Sequence, residues 1–232
     1  MKLDLFLLIG QSNMAGREAL DGIREPDPRI VSLNAKREWA PAIEPIHFDK
    51  PGIAGVGPGL EFARTLMERG ASNAIGLIPC AVGGTKIEHW VRGGDLYEHA
   101  MERADFAMQS GQLKGILWHQ GENDAMDADD AVPYRKRFEA MIRDMRERLG
   151  HPRVPFLAGK LGYFLSPDTF PFAPLLRSIV EETRQTAHEY GWIDSAGLEH
   201  SGDSLHFLSA SARELGRRYA ETYLSMTGHS AG

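Results

Sequence analysis

Residues 3–16 read Leu3-Asp4-Leu5-Phe6-Leu7-Leu8-Ile9-Gly10-Gln11-Ser12-Asn13-Met14-Ala15-Gly16, an apolar run that stops at a glycine, a serine and further small residues. This pattern is typical of a buried strand that runs into a tight turn. Open α/β sheets bind ligands at the carboxyl ends of their strands, and the turn would present the Ser12 hydroxyl there. Ser12 is therefore either a nucleophile or a residue that forms the turn and caps the next helix.

Strand-like and helix-like segments alternate along the rest of the chain. The further apolar, β-rich segments are 73–79, 113–119, 154–159 and 191–194. Apolar residues spaced three and four apart predict helices over 59–69, 95–109, 131–149, 174–190 and 207–226. Because parallel strands need helical crossovers, this alternation predicts a three-layer α/β/α fold with a parallel five-stranded sheet. Residues 20–58 and 160–173 are predicted to be long loops of the kind that carry binding sites.

Composition limits the classes of function. The 232 residues, 42% of them hydrophobic, suffice for a full core, and no repeat or Gly/Ser-rich linker divides them, so we expect one domain over 1–232. A net charge of -6 argues against nucleic acid or an anionic membrane surface as a partner. No apolar stretch approaches the roughly 20 residues of a membrane helix.

The cysteine content and the first residues bear on the compartment. Residues 3–9 are as apolar as the core of a signal peptide, but Asp4 interrupts them and the basic region is one lysine. Cys80 is the single cysteine, which excludes an intrachain disulfide and a cysteine-based zinc cluster. The sequence accordingly predicts a cytoplasmic protein. For Cys80 itself we favour a small buried side chain over a thiolate nucleophile.

A serine nucleophile needs a base, and a histidine in that role is usually steered by a carboxylate on its other ring nitrogen. Asp203-Ser204-Leu205-His206 provides both groups, at a spacing that places them on one side of a turn or of the first turn of a helix. The alternative is that Asp203 or Ser204 caps the following helix and His206 lies at the surface. Spacing alone favours that alternative.

Two further strand ends carry groups that can stabilise an oxyanion. Gly83 and Gly84 follow the strand at 73–79, and glycines either let a backbone amide approach a ligand closely or form a sharp turn. Residues 118–124 read Trp-His-Gln-Gly-Glu-Asn-Asp and follow the next strand. So many polar side chains at one strand end favour a function over simple solubility.

Four segments together resemble the SGNH hydrolase superfamily and, within it, the carbohydrate esterases of the sialate O-acetylesterase and acetyl xylan esterase type. The matching segments, in the order of the family, are 10–16 (Gly-Gln-Ser-Asn-Met-Ala-Gly), 83–85 (Gly-Gly-Thr), 118–122 (Trp-His-Gln-Gly-Glu) and 203–206 (Asp-Ser-Leu-His). The first and third are specific, and the four span nearly the whole chain. The resemblance implies a flavodoxin-like hydrolase in which Ser12 is the nucleophile, His206 the general base and then acid, and Asp203 the carboxylate that orients it.

The same resemblance implies an oxyanion hole made of the backbone amides of Ser12 and Gly84 and of one side-chain amide. Two patterns compete for the side chain. The superfamily pattern Gly-x-Asn-Asp nominates Asn123, whereas the carbohydrate esterase pattern His-Gln-Gly-Glu nominates Gln120. We favour Gln120, because the longer match is the more specific one.

Glu122 is a second candidate for the carboxylate beside His206, because some relatives use the glutamate of this segment to support the histidine. The histidines lack zinc-like pairing, and the aspartates of 124–130 lack the glycine and glutamate of an EF-hand loop. We therefore expect no metal and no cofactor.

Side chains that follow the motifs are candidates for substrate contact. Gln11 and Trp90 are assigned to substrate binding, and Trp39 and Phe164 are further aromatic candidates that either pack against a sugar or belong to the core. The basic residues that could attract an acidic sugar, or simply be solvated, are Arg17, Lys86 and Arg92.

The predicted activity is hydrolysis of a small-molecule or oligosaccharide acetyl ester through an acyl-enzyme. A broader SGNH lipase or thioesterase is an alternative that would need an extended apolar groove. An acyltransferase is another, in which an alcohol takes the acyl group in place of water. A carbohydrate-binding module without catalysis is disfavoured, because every catalytic residue type is present. The sequence names neither the sugar nor the oligomeric state.

Overall fold

The computed structural model describes residues 2–20, 22 and 24–228, so residues 21 and 23 of the predicted loop 20–58 lie outside it. The strands are β1 (Leu3–Gly10), β2 (Ile30–Leu33), β3 (Trp39–Pro41), β4 (Ile75–Pro79), β5 (Gly111–His119), β6 (Phe156–Gly159) and β7 (Tyr190–Ile193). The α-helices are α1 (Ser12–Ala15), α2 (Pro58–Glu68), α3 (Asp95–Met108), α4 (Ala128–Ala131), α5 (Tyr134–Arg148), α6 (Ala173–Glu182) and α7 (Ser209–Thr227). Short 3₁₀ helices cover Ile87–Trp90, Asp124–Met126 and Thr183–Gln185.

Within the described residues, the strands form one seven-stranded sheet in the order β3-β2-β4-β1-β5-β6-β7. Neighbouring strands are parallel except β2 and β3, which are antiparallel. The five predicted strands are all present, and their order along the sheet, second-first-third-fourth-fifth, is the flavodoxin-like one. The predicted fold class is therefore confirmed.

The predicted number of strands is wrong, because β2 and β3 lie inside the segment 20–58 that we expected to be a loop. Residues 30–33 are a short apolar run between proline-containing segments, and such a run carries little strand signal by itself. β2 is a strand because it pairs with buried β4, with Ile30 opposite Ile75. That contact is tertiary and has no local signature.

β1 lies between β4 and β5 and alternates its side chains between two helical layers. Leu5, Leu7 and Ile9 pack in the core shared with α3, α5 and α6. Phe6 and Leu8 pack in the core shared with α2 and α7. A slip of one residue would exchange these two sets, so burial on both faces fixes the register of β1 and hence the position of the turn that follows it.

Gly10 brings the ends of β1 and β5 together. It ends β1 at φ +127°, and a Cβ on it would lie 2.1 Å from the backbone oxygen of His119, so only glycine is compatible with this approach. The backbone N–H of Gln11 donates to that same oxygen at 2.9 Å. On the other side, Val82, which follows β4, donates to the Gly10 carbonyl at 3.0 Å. Three strand ends therefore meet at one edge of the sheet.

The helices agree with the predicted ones apart from their ends. The predicted helix 131–149 corresponds to α5, which begins three residues later at Tyr134, directly after Pro133, whereas the short helix α4 before it was not predicted. The predicted helix 174–190 is shorter in the structure, because α6 ends at Glu182 and a 3₁₀ turn follows. None of the described helices is long and apolar enough to cross a membrane.

Candidate active site

Ser12 is the first residue of α1, immediately after the turn that ends β1. Its side chain is 5% exposed, and its Oγ lies 3.0 Å from Nε2 of His206. Met14 and Ala15 of the same short helix are buried in the core against α2 and α7. Packing of α1 therefore holds the serine hydroxyl at the carboxyl edge of the sheet, next to an imidazole.

His206 lies in a tight loop that precedes α7. Asp203 Oδ1 accepts the backbone N–H groups of Leu205 and His206 at 2.9 and 2.8 Å, which closes the loop on itself. Asp203 Oδ2 lies 2.6 Å from His206 Nδ1. The imidazole thus presents one nitrogen to the carboxylate and the other to the Ser12 hydroxyl. The structure brings these three predicted residues together.

The Asp203 carboxyl is an anion throughout the range of pH in which the protein would be assayed. Burial raises its pKa, but hydrogen bonds from the backbone of His206 and Leu205 and from the His206 ring outweigh burial and hold the pKa at about 2. Because this permanent carboxylate anion faces Nδ1 of His206, it favours the imidazole tautomer that carries its hydrogen on Nδ1. The Nε2 lone pair is then free to accept the serine proton.

Glu122 lies elsewhere, and the structure does not support its predicted place beside His206. Its Oε1 accepts from Asn13 Nδ2 at 2.5 Å and lies 3.9 Å from His119 Nε2. Its Oε2 is buried and has no hydrogen-bond partner among the described residues. Desolvation, aided by the nearby Asp124, raises the pKa of Glu122 to about 7 against the lowering effect of Asn13. Asp203 already occupies the histidine nitrogen that Glu122 would need.

Backbone and side-chain N–H donors from three strand ends lie at the edge of the sheet that carries Ser12. In the part of the chain that the structure describes, the backbone N–H groups of Ser12 and Gly84 have no acceptor. Asn123 Nδ2 donates one hydrogen to the Gly84 carbonyl at 3.3 Å, and its Oδ1 accepts from Gln11 Nε2 at 3.3 Å. The second hydrogen on Nδ2 remains available. These are the donors that a developing oxyanion requires.

The structure does not support our preference for Gln120 as the side-chain donor. Its Nε2 donates to the Thr85 carbonyl at 2.9 Å and to the Asp124 carboxylate, which uses both hydrogens. Its Oε1 accepts from the Tyr134 hydroxyl at 3.1 Å, and the side chain is 1% exposed. Gln120 therefore fixes the turn behind the site. The motif match was correct, but a motif does not reveal which amide faces the substrate.

Gln11 and Trp90 are not placed to touch a substrate, contrary to expectation. Gln11 is 2% exposed and bonds to Asn123, so it orients that amide. Trp90 is fully buried, packs edge-on against Trp118, and donates from Nε1 to Thr85 Oγ1 at 3.2 Å. It supports the turn that carries Gly84. Aromatic residues near a motif look the same in sequence whether they face the core or the ligand.

The two other aromatic candidates, Trp39 and Phe164, lie at opposite edges of the sheet. Trp39 donates from Nε1 to Ser110 Oγ at 3.1 Å, next to the start of β5, and so lies at the amino edge, away from the site. Phe164 packs edge-on against Phe207 with a centroid distance of 5.1 Å, directly after His206. Phe164 is therefore close to the site, as a support for the histidine loop.

The basic residues singled out in the sequence are engaged in ion pairs. Arg17 forms a buried pair with Asp49, whose Oδ2 also accepts the Gly83 N–H at 2.8 Å. The pair therefore holds the glycine turn. Lys86, before the 3₁₀ helix Ile87–Trp90, pairs with Asp130, and Arg92, after it, pairs with Glu147. None of the three is a free cation for an acidic substrate.

Lys50 is a cation near the site that sequence reasoning missed. Its Nζ lies 3.9 Å from the position that a Cβ on Gly84 would occupy. The side chain is exposed, and within the described ranges no carboxylate lies close enough to form an ion pair with it. It belongs to the segment 20–58, which contains no recognisable motif. Only the fold brings it beside Gly84.

Cys80 and the buried histidines His47 and His119 fit structural roles. Burial raises the pKa of the Cys80 thiol to about 11, so it is not a thiolate near neutral pH. Burial also lowers the pKa of His119 to about 3 and that of His47 to about 4. Residues 2–20, 22 and 24–228 contain no group of three or more His, Cys, Asp or Glu side chains arranged to hold a metal ion.

Residues 2–225 match the family described as "Carbohydrate esterase, sialic acid-specific acetylesterase". The chain belongs to this family. This carbohydrate esterase is therefore a carboxylic ester hydrolase, and the predicted carbohydrate O-acetylesterase activity is confirmed.

The carbohydrate esterase is similar to proteins of known structure over nearly its whole length. The probable carbohydrate esterase At4g34215 of Arabidopsis thaliana is 33% identical over 245 residues, which cover 95% of this chain and 90% of that protein. Its structure matches with a TM-score of 0.88 at 31% identity over 97% of this chain and 99% of that chain. XAC1771, a carbohydrate acetylesterase from Xanthomonas citri, matches with a TM-score of 0.70 at 25% identity over 96% of this chain and 56% of that chain. NanS shares the fold, with a TM-score of 0.78 at 19% identity over 98% of both chains.

The raised pKa of Glu122 predicts a specific loss of stability with pH. An acid whose pKa is about 7 when folded and 4.5 when unfolded stabilises the fold fully below pH 4.5, and this contribution is lost as pH rises through 7. This pKa shift corresponds to a loss of about 3 kcal/mol in the free energy of unfolding. The loss is measured by urea unfolding of the wild type and of Glu122→Gln at pH 4.5 and pH 8. Between pH 4.5 and pH 8, the free energy of unfolding of Glu122→Gln should fall by about 3 kcal/mol less than that of the wild type. An equal fall in both proteins would contradict the raised pKa of Glu122.

The two amides are separated by their opposite effects on rate and stability. Asn123→Ala should lower kcat by about a hundredfold to a thousandfold, the usual effect of removing one oxyanion donor. Gln120→Leu should instead lower the free energy of unfolding by about 1–3 kcal/mol, because the Thr85 carbonyl and the Asp124 carboxylate each lose the hydrogen bond from the Gln120 amide. Ester hydrolysis and urea unfolding of both variants are the measurements. The reverse pattern would restore Gln120 as the oxyanion donor.

Proposed function

We propose that Ser12 carries the acyl-enzyme intermediate through which this esterase releases O-acetyl groups. The observation that carries the proposal is the 3.0 Å contact between Ser12 Oγ and His206 Nε2, with Asp203 Oδ2 2.6 Å from Nδ1. His206 Nε2 takes the Ser12 proton while Oγ bonds to the acetyl carbonyl carbon, which forms a tetrahedral oxyanion. When the intermediate collapses, the ester bond to the sugar breaks, and His206 returns the proton to the departing sugar oxygen.

A water molecule completes the cycle. His206 Nε2 takes a proton from the water while its oxygen bonds to the acyl carbon. Collapse of the second tetrahedral intermediate breaks the bond to Ser12 Oγ, which recovers the proton, and acetate leaves. Asp203 remains an anion and stabilises the imidazolium that forms in both halves. One water is consumed for each ester, and the products are acetic acid and the free sugar hydroxyl.

The proposed oxyanion hole consists of the backbone N–H groups of Ser12 and Gly84 and of Asn123 Nδ2. Each donor is fixed before substrate arrives: Ser12 by α1, Gly84 by the Arg17–Asp49 pair behind its turn, and Asn123 by Gln11. Donors that need no reorganisation stabilise the transition state most effectively.

Among acetylated sugars, we propose a sugar that carries a carboxylate as the substrate. The family description names sialic acid, and the Lys50 ammonium beside Gly84 supplies a positive charge at the mouth of the site. Because Lys50 is exposed, solvent screens its attraction, and its contribution is that of a surface ion pair.

Acyl-chain selectivity tests the proposed reaction. The wild type should hydrolyse p-nitrophenyl acetate faster than p-nitrophenyl octanoate, since the residues around Ser12 are polar and small. Ser12→Ala should reduce the rate by about a thousandfold or more. Ser72→Ala is the matched control, because Ser72 bonds to Asp4 at the opposite edge of the sheet. A folded wild type that releases no acetate between pH 6 and 9 would contradict the proposal, and transfer of acetyl to an added sugar would indicate an acyltransferase.

Charge discrimination tests the proposed substrate class. Lys50→Ala should lower kcat/KM for an O-acetylated sialate or uronate by about two- to fivefold relative to a neutral acetylated sugar, the size expected of an exposed ion pair. The difference should shrink at high salt. Lys36→Ala is the control, because it removes the same charge from an exposed lysine in the turn between β2 and β3. Equal losses on acidic and neutral sugars would contradict a role for Lys50 in recognising the carboxylate.

A further inference from the structure

Asn13 joins the helix that begins with Ser12 to the loop that carries His206. Its Oδ1 accepts the backbone N–H of Phe207 at 3.1 Å, and its Nδ2 donates to the backbone carbonyl of Leu205 at 3.1 Å. These two backbone groups flank His206 in sequence. The Asn13 side chain is 4% exposed, so little water competes for either bond.

Only one orientation of the Asn13 amide satisfies both contacts. Its oxygen must face the Phe207 N–H, and its nitrogen must face the Leu205 carbonyl, because the reversed amide would set donor against donor and acceptor against acceptor. Glu122 selects this orientation. Its Oε1 lies 2.5 Å from Asn13 Nδ2 and takes the second hydrogen of that nitrogen. Both hydrogens and the oxygen of the amide are thereby used.

The contacts within the histidine loop set its shape but not its distance from Ser12. The Ser201 N–H donates to the His206 carbonyl at 2.8 Å, and Asp203 caps the backbone of 205 and 206. These bonds stay within the loop. Asn13, which is adjacent to Ser12 in sequence, ties the loop to α1. Displacing a catalytic group by about 1 Å can cost about a hundredfold in rate.

We propose that Asn13 and Glu122 are positioning residues: Glu122 orients the Asn13 amide, and Asn13 clamps residues 205 and 207 so that His206 Nε2 stays within reach of Ser12 Oγ. The proposal rests on the proposed function of Ser12 and His206. Neither positioning residue touches the acyl group, and Glu122 acts on the reaction through Asn13. A glutamate in this strand-end segment thus supports the histidine through a neighbouring amide and a backbone clamp, not through the imidazole.

A double-mutant cycle with p-nitrophenyl acetate tests this coupling. Asn13→Ala should lower kcat by about a hundredfold with KM changed by less than about twofold. Glu122→Ala should lower kcat by about tenfold, whereas Glu122→Gln, which retains an acceptor oxygen, should stay within about threefold of the wild type. In the Asn13→Ala background, Glu122→Ala should cost nothing further. Thr183→Val, which loses a buried hydrogen bond at the end of α6, is the control for a merely structural change.

Three results would overturn the proposal. The losses of kcat in Asn13→Ala and Glu122→Ala could be additive in the double variant, or Glu122→Gln could have a kcat as low as that of Glu122→Ala. The third is a change in KM alone, with kcat of Asn13→Ala unchanged. If Asn13→Ala fails to fold, Asn13→Asp replaces it, since the aspartate keeps an acceptor for the Phe207 N–H but sets its second oxygen against the Leu205 carbonyl. The expected loss of kcat is the same.

Hydrogen exchange of the Phe207 amide tests the clamp without using activity. Its protection should fall in Asn13→Ala and Glu122→Ala and persist in Glu122→Gln and Ser12→Ala. Unchanged protection in Asn13→Ala would overturn the clamp even in an active enzyme. A wild type that lacks esterase activity but shows the expected exchange pattern would instead refute the proposed function and leave the clamp in place.

Discussion

The site depends on one contact, 3.0 Å between Ser12 Oγ and His206 Nε2, that joins residues 194 positions apart. One partner is fixed by β1, whose two-sided burial and terminal Gly10 place α1 at the carboxyl edge of the sheet. The other lies in a loop just before α7. The central sheet supplies a rigid edge, and the contact forms only because the loop is held against it. Much of the polar chemistry around Ser12 serves that purpose.

The carboxyl groups of Asp203 and Glu122 have opposite environments, and their electrostatics separate their roles. Asp203 is partly exposed, accepts two backbone N–H groups, and keeps its pKa at about 2. Glu122 is fully buried, has one partner for one oxygen, and has a pKa of about 7. A permanent anion suits stabilisation of an imidazolium. A buried carboxyl that loses its charge readily suits a structural acceptor, because it avoids the cost of an unpaired buried ion.

Local patterns were sufficient to predict the alternation of strands and helices. The roles of Ser12, Asp203 and His206 came from the resemblance of four separate segments to a family, because spacing alone favours a helix cap at Asp203, and the structure brings the three residues together. Contacts that depend on the tertiary fold were not predictable. Gln120 and Asn123 stand three residues apart in the same motif, and only their partners in space show that one is enclosed and the other open to the site. For the same reason, the sequence does not show that Trp90 faces the core, that Lys50 lies beside Gly84, or that residues 30–33 and 39–41 are strands.

If Ser12 forms the covalent intermediate, mass spectrometry of the trapped enzyme detects the adduct on that residue. Incubation with a dialkyl p-nitrophenyl phosphate should release one p-nitrophenolate and add one dialkylphosphoryl group per chain, and peptide mapping should place that group on Ser12 Oγ. Ser12→Ala should remain unlabelled, and His206→Ala should be labelled at a much lower rate. A stoichiometric adduct on another residue, or an active wild type in which Ser12 is never modified, would contradict the account.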